Sequence, residues 1–502
     1  MLAKIAMLVG FFAVMIGVGL YCRKKATNVG DFVLGGRSVG PWITAFAYGT
    51  SYFSAVVFVG YAGQFGWNFG IAAFWIGIGN ALIGSLLAWV VLGRRTRIMT
   101  KHLESATMPD FFEKRYGSKA IKIISSLIIF VFLIPYSASV YKGLSGLFSL
   151  AFGIDFTWCI VGMAVLTAVY VVLGGYMAAA INDFIQGIIM LVGIIAVIAC
   201  VMNVNGGIMG SIVELSKVEC AVDPSFKGAF TSMFGPDPMS LLSVVILTSL
   251  GTWGLPQMVH KFYTIKNEKA IQTGTIISTV FAMIIAGGSY FLGGFGRLFY
   301  DAQPVVFDDI VPQMLNSALP DVLMGVVVIL VLSASMSTLS SLVITSSSTF
   351  VLDFIKGVFR KEMKQKTEML FIRGMCAFFI LLSVLIAVRP NSLITSLMSI
   401  SWGALAGAFL GPFLYGLFWK KVTKASVWAS FASAVLITVV NMFTGTVSPL
   451  VAGAAAIVCS LIVVPVVSAL TPKMEMSKVN AIFACYDQKV SAPQVEVLPE
   501  EE

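Results

Sequence analysis

Apolar runs of roughly 17–25 residues recur from one end of the chain to the other, separated by short polar or basic stretches. About thirteen can be placed, each long enough to cross a hydrocarbon core of about 30 Å as a helix. Their centres fall near Met15, Ser54, Leu82, Phe132, Ala164, Val192, Leu247, Met283, Val331, Ile380, Ala406, Ala434 and Ile457. A transmembrane β-barrel would instead need short segments of alternating polarity. The pattern predicts an all-α polytopic membrane protein. Residues 1–470 read as one transmembrane domain, and residues 471–502, where the apolar runs stop, read as a flexible cytoplasmic tail.

Composition sharpens this picture. Only 11% of residues are charged and the mean hydropathy is +0.93, whereas a soluble domain carries about a quarter of its residues as charges. A net charge of +9 could point to nucleic acid, but its distribution argues otherwise. The basic residues cluster in every second loop: Arg23/Lys24/Lys25/Arg37, Arg94/Arg95/Arg97/Lys101, Lys261/Lys266/Lys269, Lys356/Arg360/Lys361/Lys364/Lys366 and Lys420/Lys421/Lys424. Cytoplasmic loops beside anionic lipid show this bias. It places the chain in a cell membrane, inner or plasma, with its N-terminus outside and its C-terminus inside. The first run, Ile5 to Tyr21, has its charges after the apolar stretch rather than before it, the reverse of a cleaved signal. Seven cysteines show no metal-ligand spacing, His102 and His260 read as residues of basic loops, and no Walker A loop is present. No catalytic constellation appears, so the sequence does not read as an enzyme.

Two runs are interrupted. The second contains Gly49-Thr50-Ser51-Tyr52-Phe53-Ser54, and the seventh contains Ser249-Leu250-Gly251-Thr252-Trp253-Gly254-Leu255-Pro256. Glycine weakens a helix and proline removes a ladder donor. Non-helical backbone is tolerated in a bilayer only where it is buried in protein or lines a cavity. The breaks lie five runs apart, as expected if runs two to six and seven to eleven form a five-plus-five inverted repeat. Paired breaks of this kind point to a transporter's binding site. Glycine and proline are also simply common in membrane helices.

Three polar features stand inside apolar runs. In the ninth, Ala334, Ser337, Thr338 and Ser341 follow the i, i+3, i+4, i+7 rule and share one face. Neutral hydroxyls suit a hard monovalent cation, but such residues also pack helices and bond back to their own backbone. Asp183 precedes the run from Ile188 to Cys200, either as a functional intramembrane acid or as a helix N-cap. Lys142 falls near the outer end of its helix, where it can snorkel.

These residues resemble the sodium:solute symporter family from about Gly10 to Ala469. The motifs that carry the resemblance are Gly35-Gly36-Arg37-Ser38-Val39-Gly40, Gly174-Gly175-Tyr176 with Asn182-Asp183 and Gln186-Gly187, and Met336-Ser337-Thr338-Leu339-Ser340. The resemblance implies an inverted-repeat core and a sodium ion as coupling ion. It implies a first Na⁺ site from the carbonyls of Thr50, Phe53 and Ala334 and the hydroxyls of Ser337 and Thr338. It implies a second Na⁺ site from Asp183, Ser337, Ser340 and Ser341. Proline carriers of the family have an aspartate where Tyr52 stands here, and the stretches around both breaks are more like those of pantothenate carriers. The implied cargo is therefore a small organic solute bearing a carboxylate, contacted by Tyr52, Ser54, Tyr136, Trp253 and Gln257. The Tyr52 hydroxyl is expected to donate to that carboxylate. A proline or other amino-acid symporter is the alternative. A solute sensor or a channel are readings of another class, against which stand the short tail and the paired breaks respectively.

Overall fold

The structure is a computed structural model and describes residues 2–23, 29–34, 39–204, 206–220, 223–301, 305–359, 363–389 and 393–487. The Gly35–Ser38 part of the first motif and the basic residues Lys24, Lys25, Arg37, Arg360 and Lys361 lie outside them. Helices dominate. Among the described residues the β-structure is one isolated bridge, Val39 with Ile265, where the Val39 N–H reaches the Thr264 carbonyl at 3.4 Å.

Ten helices among the described residues are long and apolar enough to cross a membrane, or eleven with one bent pair counted as a span. The shortfall from thirteen has two sources. The second and third runs are joined in one helical stretch, Val56–His102, because the chain turns through Gly70–Ala73 without a polar loop. Gly70 has φ +61°, and a Cβ there would meet the Phe230 carbonyl oxygen at 2.1 Å. The fifth and sixth runs share one helix, Phe156–Asn203. At 1.5 Å per residue its 48 residues would span about 72 Å if straight. The N-cap of this helix is Asp155, whose carboxylate accepts from the Thr157 N–H at 2.9 Å. Asp183 lies far inside the helix, so the capping reading of that residue does not hold.

Asp321–Thr349 runs through the centre, buried along most of its described length. It packs on Lys119–Phe152 and Phe156–Asn203. Ile394–Phe418, Lys424–Thr444 and Pro449–Leu470 pack together as a second group. Small residues bring these backbones close; a Cβ at Gly403 would lie 2.7 Å from the Gly453 Cα. Pro412 inside Ile394–Phe418 cannot donate to the Ala408 carbonyl. The Ser430 hydroxyl from the neighbouring helix donates to that carbonyl instead, at 3.0 Å.

Two sequence expectations change here. Lys261 and His260 are not loop residues: both lie in the buried helix Pro256–Tyr263, which leaves Lys266 and Lys269 to mark that loop. The tail, expected to be flexible, contains a packed helix, Met476–Asp487, with Val479 and Phe483 buried. The Tyr486 hydroxyl donates to the Arg95 carbonyl at 3.1 Å, and the Arg95 guanidinium lies 4.7 Å from the Tyr486 ring centroid. Residues 488–502 lie outside the described residues.

Candidate functional site

The first split helix begins as Pro41–Tyr52. Phe53 then turns extended at φ −111°, ψ 111°, and the last N–H of the ladder, that of Phe53, donates to Gly49 at 3.3 Å. The break frees backbone groups inside the protein, where each needs a partner. Asp321–Thr349 supplies them. Ser337 Oγ donates to the Thr50 carbonyl at 2.9 Å and lies 2.9 Å from the Ala334 carbonyl. Thr338 Oγ1 lies 3.3 Å from Thr50 O, 3.4 Å from Ser51 O and 3.1 Å from Ala334 O. Ser335 Oγ accepts from the Ala55 N–H at 3.2 Å, and Ser341 and Ser51 hydroxyls meet at 2.8 Å.

Four of the five residues expected for a first cation site, Thr50, Ala334, Ser337 and Thr338, thus converge in one buried, uncharged cluster; the fifth, Phe53, is buried too and is the extended residue that ends the helix. A hydroxyl has two acceptor lone pairs besides its proton, so the same oxygens can turn from carbonyl to cation. Helix Phe156–Asn203 closes the cluster on another side. A Cβ at Gly187 would lie 2.3 Å from the Phe46 ring and 3.1 Å from Thr50 Cγ2, so only glycine permits this approach.

The residues expected for a second cation site are arranged differently. Ser341 is next to Ser51, and Ser340 Oγ donates back to the Ser337 carbonyl at 2.8 Å. Asp183 is fully buried. Its Oδ2 lies 3.6 Å from Lys261 Nζ, which donates to Ser341 Oγ at 3.0 Å. Sequence reasoning missed Lys261 because it sits in a basic run with Lys266 and Lys269.

The second split helix, Pro238–Trp253 then Pro256–Tyr263, bends by 40° at Gly254–Leu255. A Cβ at Gly254 would lie 2.9 Å from the Ala406 backbone. The five expected solute contacts fall into two sets. Tyr52, Trp253 and Ser54 are engaged. The Tyr52 hydroxyl donates to Thr248 O at 2.6 Å and its ring stacks on Phe53. Trp253 Nε1 donates to Ile83 O at 2.9 Å, and Ser54 Oγ accepts from the Val56 N–H at 3.2 Å. The Tyr52 O–H, expected to donate to a solute, is spent on the Thr248 carbonyl in this structure and would have to leave it to make that contact. Tyr136 and Gln257 differ, because the phenol oxygen and both amide atoms are buried without a hydrogen-bond partner. Tyr61, Tyr290 and the Trp402 indole N–H share that condition. The Trp402 ring lies 6.2 Å from that of Tyr52 and 5.9 Å from that of Tyr136. Tyr61, Tyr290 and Trp402 carried no signal in the sequence, where they are aromatic residues within apolar runs.

A cavity of about 820 Å³ adjoins the stretch after the first break at Val59, with Lys142, Asp308 and Asp309 in its lining. Lys142 is therefore turned into the protein, only 8% exposed, rather than snorkelling into lipid. At the opposite end of the same helix, Lys119–Phe152, Lys122 Nζ lies 2.8 Å from both Asp110 and Glu113 and 3.5 Å from Asp353. Thr107 donates to Asp353 at 2.6 Å.

This chain is 32% identical over 450 residues to a sodium/proline symporter of Staphylococcus aureus (strain JH9), covering 86% of this chain and 85% of that protein. The sodium/proline symporter of Staphylococcus aureus (strain COL) gives the same figures. A substrate-bound, outward-open Na⁺-coupled sialic acid symporter superposes with a TM-score of 0.80 over 94% of this chain and 98% of its own, at 18% identity. Mhp1, a nucleobase-cation-symport-1 family transporter in a closed, bromovinylhydantoin-bound conformation, superposes at 0.51 over 90% and 98%, at 14% identity. These likenesses give the fold. The match that gives the family runs over residues 32–433, and the chain belongs to the sodium:solute symporter family of sodium-coupled membrane carriers.

Proposed function

We propose that this protein imports a small carboxylate-bearing solute across the cell membrane with Na⁺, its N-terminus outside and its C-terminus, residues 471–502, in the cytoplasm. The observation that carries the reading is the convergence of Thr50 and Ala334 carbonyls with Ser337 and Thr338 hydroxyls at the first break. Na⁺ would be held by these oxygens and the Phe53 carbonyl, fixing Pro41–Tyr52 against Asp321–Thr349. Entry of one charge is driven by the membrane potential, about 2.3 kcal/mol per 100 mV. Release of Na⁺ to the cytoplasm frees the split helix.

The solute lies between the breaks. Tyr136 and Gln257 present unused polar atoms to it, while Tyr52 and Trp253 form walls whose donors are already used and Ser54 Oγ accepts from the Val56 N–H. These groups are uncharged. The buried acid nearby, Asp183, faces Lys261. A solute amine would have to compete with Lys261 for Asp183, which favours an organic anion such as pantothenate. The names of the Staphylococcus relatives support proline as the second reading.

The test is uptake of radiolabelled pantothenate and of radiolabelled proline into proteoliposomes, each with and without an inward Na⁺ gradient. Pantothenate accumulation that needs the gradient and is competed by other small carboxylates supports the first reading. Proline accumulation alone transfers the proposal to the second. Flux of either solute that ignores Na⁺ refutes both.

A further inference from the structure

We infer that Lys261 is a built-in cation occupying the second cation site, so that this carrier takes up a single Na⁺ per cycle. The inference rests on the first-site reading above and concerns a set of atoms that shares only Ser337 with it. The oxygens that the family resemblance assigns to a second Na⁺ are those of Asp183, Ser337, Ser340 and Ser341. The ammonium of Lys261 stands beside two of them, 3.6 Å from Asp183 Oδ2 and 3.0 Å from Ser341 Oγ, with the face of the Tyr176 ring 5.2 Å away. Both charged side chains are buried, Lys261 to 2% exposure and Asp183 to none. An intramembrane acid needs an opposite charge beside it. Here one is covalently attached, and a lysine ammonium offers three donors and no acceptor. A second Na⁺ at this place would meet that ammonium at contact distance, where like charges repel. The site therefore does not fit Na⁺. The tether also makes the linkage permanent: Pro256–Tyr263 is joined to Phe156–Asn203 and Asp321–Thr349 whether sodium is high or low, whereas the first site is filled only when Na⁺ is present.

The experiment is equilibrium binding of ²²Na⁺ to the purified full-length protein, in moles per mole, with no solute added. The wild type should bind one Na⁺. Lys261→Ala should bind two, because Asp183 and the serine hydroxyls become available, and Lys261→Ala/Asp183→Asn should return to one. The melting temperature supplies a second readout. Each bound ligand stabilises the folded state by RT ln(1 + [L]/Kd), so at saturating Na⁺ its logarithmic dependence should steepen about twofold in Lys261→Ala. Two Na⁺ bound to the wild type would overturn this inference while leaving the first site standing. No Na⁺ bound to the wild type would overturn both. A folded Lys261→Ala that still binds one would also overturn it. Should that variant fail to fold, the wild-type stoichiometry decides alone.

Discussion

Ser337→Ala removes one oxygen from the cluster at the first break and little else. The hydroxyl lies 2.9 Å from Thr50 O and 2.9 Å from Ala334 O, in a site with 1% exposure. With no ion present, Thr50 O keeps a donor, because Thr338 Oγ1 is 3.3 Å away. The cost should therefore fall on the ion-bound state. A polar contact to a charged partner contributes about 1.5–3 kcal/mol. At about 1.4 kcal/mol per tenfold, the Na⁺ concentration for half-maximal uptake should rise about 10- to 150-fold. Thr338→Ala should act in the same direction, with a small added loss from its methyl group. Sodium titration of solute uptake in proteoliposomes measures the shift. Ser348→Ala is the control: its hydroxyl is bonded to Ile344 O at 2.6 Å in the same helix, about 16 Å from Ser337, and its titration should match wild type. Unchanged sodium dependence in both Ser337→Ala and Thr338→Ala would refute the site and leave these residues as packing hydroxyls.

Tyr52→Phe should lower thermal stability, because the Thr248 carbonyl is left buried without its donor, at a cost of about 1–3 kcal/mol. Calorimetric solute affinity should change little; a large loss of affinity at unchanged melting temperature would make Tyr52 a direct ligand. Burial raises the Asp308 carboxyl to about 6 against the pull of the Ile394 N–H and Lys142. The folded chain then holds a proton that the unfolded chain has lost between about pH 4 and 6, so stability should fall as pH rises through that window. Asp308→Asn should flatten this part of the melting profile, and an unchanged slope would refute it. In a cysteine-free background, membrane-impermeant maleimide on intact cells should label Ser225→Cys and miss Ser477→Cys, both exposed positions. The native cysteines Cys220 and Cys485 are buried and would report poorly. The opposite labelling pattern would reverse the topology.

Much of the architecture was legible because a bilayer imposes its own length scale. Apolar runs, split helices and the hydroxyl face of Ser337, Thr338 and Ser341 all follow from periodicity and from the need to satisfy backbone groups. Boundaries between runs were not legible where the chain turns without polar residues, as at Gly70–Ala73, or remains helical, as across Phe156–Asn203. Charge in sequence was a weaker guide than charge in space. Lys261 looked like its neighbours Lys266 and Lys269 until the helix Pro256–Tyr263 carried it to Asp183. The proposed solute pocket was least legible, since hydroxyls such as Tyr61 and Tyr290 stand in apolar runs and matter only through which tertiary partners they lack.

The two kinds of cation contact share one helix face, and this couples them mechanically. Ser337 and Thr338 reach the Thr50 carbonyl, while Ser341, one turn further on, touches Ser51 at 2.8 Å and Lys261 at 3.0 Å. Tyr52, the next residue of the same split helix, bonds the backbone just before the second break at Thr248. Three successive residues, Thr50, Ser51 and Tyr52, thus tie the first split helix to the ion cluster, the lysine contact and the second split helix. A movement that lifts Pro41–Tyr52 off Asp321–Thr349 must break the Thr50 and Ser51 contacts together. On the proposed reading, Na⁺ would be the strongest of these ties and its loss would remove it, because an ion draws several oxygens at once where each hydroxyl bonds one or two. The lysine contact to Asp183 does not involve the moving segment and persists. If the first cluster holds Na⁺ as proposed, its release would loosen one side of the proposed solute pocket while the Lys261–Asp183 contact held the other, a division of labour between one exchangeable cation and one fixed cation.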